Sequence, residues 1–177
     1  DNTNCYFVPY NKGGTYRKWY GNNDCVLYWK DAGYAIKHFS DNNGRIRSTV
    51  PNTDYYFLPC ASWSKISSGK ISFRFKEHSI FDVAGACYFS YKYDIKYMLG
   101  FLNSNIVDVI IGALSPTLNY EGGQIASLPI LYSSNHEIVE NLVRQNISIS
   151  KQDWDAHETS WDFETNPLLA VDEETYI

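Results

Sequence analysis

The feature that most limits what this chain can fold into is a change of period at Asp94. Before it, short aromatic and β-branched runs alternate with turn clusters; after it, apolar residues recur at helical spacing. Cys5 to Tyr10, Tyr55 to Cys60, Lys70 to Phe75 and Gly85 to Tyr91 are the clearest candidate strands, because such side chains suit a pleated, half-buried surface. Between the runs, Asn11 to Gly14, Gly21 to Asp24, Asp41 to Gly44 and Pro51 to Asp54 carry the Gly, Asn, Asp or Pro of turns. Cys25 to Phe39 reads two ways: Val26, Leu27 and Trp29 suit a strand, whereas Ala32 to His38 suit a short helix.

Beyond Asp94, Ile95, Met98, Leu99 and Leu102 form one stripe, and Ile106, Val109, Ile110 and Ala113 form a second after a break at Asn103 and Ser104. This spacing predicts two consecutive helices. Asn119 to Gln124 is a turn-rich loop, followed by an apolar segment, Ile125 to Leu131, that Pro129 interrupts. A further helix is expected to open at Ser134, with Glu137 in capping-box position and Ile138, Leu142 and Val143 on one face. From Lys151 the chain turns acidic, and Trp154, Trp161 and Phe163 are expected to dock a loosely structured tail on the body. The expected class is therefore α+β, with a β-rich half followed by helices. Residues 1–150 would form one domain, β-rich over 1–93 and helical over 94–150, with an acidic aromatic tail over 151–177.

A chain of 177 residues with 44% hydrophobic side chains can bury one core of its own. It begins at Asp1 without an initiator Met and stops on an acidic stretch at Ile177, so it reads as a piece of something longer. No run approaches the ~18 apolar residues of a membrane span, since Asp108 and Gly112 break the best candidate, and no signal peptide is legible. Cys5, Cys25, Cys60 and Cys87 include no Cys-x-x-Cys pair, which favours free thiols in a reducing cytoplasm over a zinc knuckle or disulfide framework.

The formal charge of −5 argues at first against a polyanionic ligand, but the average hides a gradient. Residues 1 to 76 hold seven Lys and four Arg against five Asp, a net +6, while residues 77 to 177 hold four cations against 15 acids, a net −11. The field of one face steers an anion, whatever the total.

No catalytic constellation is visible. His38, His78, His136 and His157 stand apart, and Asp153, Asp155, His157, Glu158 and Asp162 match no metal-loop spacing. Asn166-Pro167-Leu168-Leu169 lacks the aromatic ring that an amino-methyltransferase loop stacks on a flipped base. What remains is a recognition surface. In the stretch from Asn11 to Gly21, Lys12, Arg17 and Lys18 alternate with Trp19 and Tyr20; in a second stretch Ser62, Trp63, Ser64, Lys65, Ser67 and Ser68 precede Lys70, and Arg45, Arg47, Arg74 and Lys76 add charge. Such side chains grip phosphates, hydrogen-bond base edges and stack.

Lys12-Gly13-Gly14, Arg17 to Gly21 and Trp63 to Ser67 resemble the C-terminal specificity region of the PglX family, adenine-specific DNA methyltransferases of type 1 BREX phage-defence systems. Leu102-Asn103-Ser104, Ser115 to Tyr120, Ile125 to Ile130, Asp153 to Asp155, Glu158 to Phe163 and Asn166 to Leu169 resemble further segments in the same order, so the likeness covers nearly the whole chain. It implies a target-recognition domain, akin to TaqI-like and type I specificity domains, that docks on double-stranded DNA. The catalytic domain of the same parent chain would bind S-adenosylmethionine, with no cofactor, metal or catalytic residue in this part. From the chemistry of their side chains, Lys12, Arg17, Lys18, Lys65 and Arg74 are expected to hold phosphates and Trp19, Tyr20, Ser64, Ser67 and Ser68 to read bases or groove shape, with Ser62 and Trp63 in the same interface. A rival reading is a protein-interaction module that docks other defence-system proteins through Trp154 and Trp161. A weaker one, prompted by 16% aromatic residues, is a carbohydrate-binding module.

Overall fold

The computed structural model describes residues 6–67, 69–115 and 117–170. The strands form two three-stranded sheets, and a group of helices covers one of them. In the first sheet, β1 (Phe7–Asn11) lies between antiparallel β2 (Val26–Tyr28) and parallel β5 (Ile80–Phe81). The second is wholly antiparallel, with β3 (Cys60–Ser64) between β4 (Phe73–Lys76) and β6 (Gly85–Tyr88). The chain is α+β, as its period change predicts.

The core grows from the alternation of β3 and β4. Ala61, Trp63, Phe73 and Phe75 point to one side, where they meet Leu99 and Leu102 of α2 (Ile95–Leu102) and Val107 and Ile111 of α3 (Asn105–Leu114). Ile125 of α4 (Gly122–Ala126) and Val143 of α5 (His136–Asp155) complete it. Burying such side chains stabilises the fold by about 1.5–3 kcal/mol each. The predicted break at Asn103 and Ser104 is a 66° bend, where the Ser104 hydroxyl accepts from the Val107 amide at 3.4 Å and opens α3. Among the described residues no single helix is long and apolar enough to cross a membrane.

Several expectations shift. Tyr55 to Cys60 is not a strand: Phe57 takes a left-handed φ of 67° and a 3-10 turn covers Thr53–Tyr55, so pairing begins only at Cys60. The ambiguous Cys25 to Phe39 stretch supplies both β2 and α1 (Lys30–Lys37), whose first turn is left-handed at Asp31, Ala32 and Gly33 with φ of 51°, 54° and 77°. The helix expected at Ser134 starts at His136, with no side-chain cap from Asn135, and continues through Lys151 to Asp155. A reciprocal cap forms instead at α4, where the Glu121 amide donates to Gln124 Oε1 at 2.9 Å. Cys60 and Cys87 are free thiols whose sulfurs lie 3.2 Å apart across β3 and β6.

Candidate nucleic-acid interface

The opposite face of β3 and β4 carries Ser62, Arg74 and Lys76, and the alternation Phe73-Arg74-Phe75-Lys76 would ordinarily put both cations in water. Here the loop between β1 and β2 closes over them. The Arg74 guanidinium is 0% exposed and donates to the Thr15 carbonyl (3.4 Å), the Arg17 carbonyl (3.5 Å) and Ser64 Oγ (3.1 Å). Lys76 Nζ donates to the carbonyls of Gly21 (2.8 Å) and Asn22 (2.9 Å) and to Asn23 Oδ1. Two buried cations thus hold a shell of loop oxygens. Burial disfavours their charged forms, lowering Arg74 to a pKa of about 10 and Lys76 to about 7.

The loop also protects the edge of β4. The Trp19 amide donates to the Phe73 carbonyl at 2.9 Å, and the Phe75 amide donates to the Trp19 carbonyl at 2.8 Å. Asn103 binds the same strand through both ends of its amide: Oδ1 accepts from the Phe73 amide at 3.1 Å, and Nδ2 donates to the Phe73 carbonyl at 2.9 Å. An edge strand left bare would offer these groups to another chain. At the start of the loop, Asn11 Nδ2 donates to Ser62 Oγ (2.6 Å) and to the Gly85 carbonyl (2.9 Å), joining the two sheets.

These anchors bring the two predicted loops together. Ser64 Oγ accepts from the Gly14 amide at 2.9 Å and donates to the Gly14 carbonyl at 2.7 Å. Beside this junction lies a groove of about 630 Å³, walled by Gly14, Thr15 and Tyr16 on one side and Ile66, Ser67, Gly69 and Lys70 on the other. Tyr16 and Lys70 are exposed, and Ser67 is half-buried. Lys70 carries an open ion pair to Asp108 at 3.5 Å.

Of the cations expected at phosphates, Lys12 alone is exposed with no acceptor among the described residues; its ammonium lies 6.0 Å from the Tyr10 ring centre. Arg17 donates to the Tyr20 carbonyl (2.9 Å) and the Ser150 carbonyl (3.2 Å), pairs with Asp153 and stacks on Trp154. Lys18 Nζ donates to the Asn103 carbonyl at 2.9 Å. Lys65 pairs with Glu121 at 3.1 Å and, with Asn119, holds that carboxylate below its usual pKa. Tyr20 is half-buried beneath Lys151, and Trp19 packs against the core. Ser62, Trp63 and Arg74 lie in the interior, where the Trp63 indole donates to the Tyr120 carbonyl at 2.9 Å. In this conformation these three support the groove and do not line it. Ser68 lies outside the described residues.

Sequence reasoning left Gly14, Thr15, Tyr16, Ile66, Gly69 and Lys70 off its list of contacts. They lie inside the two donor-rich stretches, where Lys70 already counts among the cations, but nothing local singles them out as the residues that face the groove. The acidic C-terminal cluster is tied internally, since Lys151 donates at 2.6 Å to both Asp155 and Asp162. Among the described residues no group of three or more His, Cys, Asp or Glu side chains is placed to hold a metal.

No family model matches the chain. Over nearly its whole length, however, it is homologous to a segment of adenine-specific methyltransferases. It is 42% identical over 166 residues to adenine-specific methyltransferase PglX of Lacticaseibacillus casei (strain Zhang), a match covering 92% of this chain and 14% of that protein. It is 31% identical over 170 residues to adenine-specific methyltransferase BrxX of Escherichia coli O9:H4 (strain HS), covering 94% of this chain and 13% of that one. The chain thus spans about one seventh of the length of the curated relatives it matches.

Proposed function

We propose that this chain is the DNA-recognition part of an S-adenosylmethionine-dependent, adenine-specific DNA methyltransferase of phage defence, and that it docks on duplex DNA through the groove between its two loops. The observation that supports this reading most is the convergence itself. Loops 50 residues apart in sequence share Ser64, and the backbone around it is fixed by buried cations. Fixed donors recognise a ligand at lower ordering cost than mobile ones.

In this reading Lys12 and Lys70 neutralise phosphates, while Thr15, Tyr16 and Ser67 approach base edges. Arg17, Lys18, Trp19, Tyr20 and Lys65 brace the walls from behind, and Ser62, Trp63, Ser64 and Arg74 support the groove without lining it. The likeness to TaqI-type specificity domains belongs to the same proposal. Methyl transfer is assigned to a catalytic domain elsewhere in such an enzyme. Gly13-Gly14 follow β1 but lead into the Trp19 edge contact and not into a helix, so they do not fit a nucleotide-type cradle for the methyl donor.

The test is binding of wild-type, Lys12→Ala, Lys70→Ala and doubly substituted chains to duplex DNA across a salt series. Each substitution is expected to flatten the plot of log K against log[salt] by about 0.9. Unchanged affinity and slope in the double variant would remove the groove from the interface.

A further inference from the structure

The segment from α1 through residue 47 is folded by local hydrogen bonds yet buries almost nothing. Gly33 is its one buried residue, while Tyr34 and Phe39 are 60% and 62% exposed. Its order is local. Asp41 Oδ1 accepts from the amides of Asn43 and Arg45, both at 3.0 Å, and the Gly44 amide donates to the Asp41 carbonyl at 2.9 Å. The Arg47 amide closes the turn onto the Phe39 carbonyl at 2.8 Å, and Ser48 Oγ ties it to the Ile36 carbonyl of α1. Fixing a residue's backbone costs about 1–2 kcal/mol, and no core burial offsets that cost here.

This segment also holds most of the free positive charge. In residues 1 to 76 the buried or tied cations are Arg17, Lys18, Lys65, Lys70, Arg74 and Lys76. Lys30, Lys37, Arg45 and Arg47 remain exposed on this one segment, against Asp31 and Asp41. Asp41 is occupied with the turn and reaches Arg47 only at 3.9 Å; Arg45 has no partner among the described residues. On the same segment the rings of Tyr34 and His38 stack at 3.9 Å, and Phe39, next in sequence, is exposed. Guanidinium groups on a hydrogen-bonded turn, with exposed aromatic rings in the same segment, suit a phosphate backbone and a groove.

We infer that residues 30–47 form a DNA-contacting arm, in which Lys37, Arg45 and Arg47 hold phosphates and Tyr34, His38 and Phe39 face the groove. This rests on the reading that the chain recognises DNA, and adds a contact site separate from the loop groove.

The experiment measures fluorescence anisotropy of a labelled mixed-sequence duplex with wild-type chain, the doubles Arg45→Glu/Arg47→Glu and Arg45→Gln/Arg47→Gln, and Arg144→Gln on α5 as a control. Circular dichroism confirms that each variant is folded. The expected result is at least about a tenfold loss for the charge reversal, and a salt slope flattened by about two in both doubles, with the control unchanged. Wild-type binding matched by both doubles would overturn the arm, and an acidic protein surface would become the better partner for it. Should Lys12→Ala/Lys70→Ala then fail to bind, the groove reading stands without the arm. Absence of wild-type binding to any duplex at low salt would remove both.

Discussion

Asn103 is the side chain on which the interface scaffold leans most heavily for its size. It is buried at the end of α2, satisfies both the amide and the carbonyl of Phe73, and offers its own carbonyl to Lys18. Asn103→Ala deletes two hydrogen bonds and strands the Phe73 amide, because that carbonyl keeps Trp19 as a partner while the amide has no other. Two lost bonds and one buried unsatisfied donor amount to about 2–4 kcal/mol. With a urea m value of about 2 kcal/mol/M for a chain of this size, the midpoint of denaturation falls by about 1–2 M. The matched control is Asn105→Ala two residues on, which is exposed and is expected to shift stability by less than about 0.5 kcal/mol. Equal effects from the two substitutions would refute the reasoning, since only burial and pairing distinguish them.

Gly85→Ala is expected to destabilise the junction of the two sheets by about 1–3 kcal/mol, because an added Cβ would stand 2.4 Å from the Asn11 carbonyl oxygen; thermal denaturation reads it. Lys76 has a folded pKa lowered to about 7 from 10.5, chiefly by burial. Between those values the unfolded chain binds more protons, so this group's contribution is complete above about pH 10.5 and is lost as pH falls toward 7, at up to about 1.4 kcal/mol per pH unit. Lys76→Met should abolish that part of the slope in urea titrations at pH 7 and 9. Lys65→Ala opens a partly exposed ion pair to Glu121 and should cost no more than about 1 kcal/mol.

The helical half was legible because its signals are local. The stripe of α2 and the Asn103-Ser104 break lie where the spacing puts them, since period and capping act within a few residues. The inward face of α3 differs from its expected stripe: Val107 and Ile111 are buried while Ile106 and Val109 are exposed, and on α5 Val143 is buried while Ile138 and Leu142 are not. Residues whose role is set by distant chain were misread. Phe73-Arg74-Phe75-Lys76 has the pattern of a half-solvated strand, and nothing nearby announces that residues 15 to 23 will fold over its polar face. The apolar run Tyr55 to Cys60 looked like a strand because composition says nothing about the left-handed turn at Phe57. The convergence of the two loops was implicit in their shared chemistry, but which side chains face the groove depends on which cations the fold consumes. Arg17, Lys18 and Lys65 are spoken for by α5, α2 and Glu121, whereas Arg45 has no partner among the described residues and Arg47 reaches Asp41 only at 3.9 Å.

Amide hydrogen exchange of the chain with and without duplex DNA addresses the functional account most directly. The account predicts slowed exchange at residues 12–16 and 66–70, with none along the outward side of α5 at Ile138, Leu142 and Ile149. Protection confined to α5, or a pattern that DNA leaves unaltered at concentrations where anisotropy reports a complex, would contradict it.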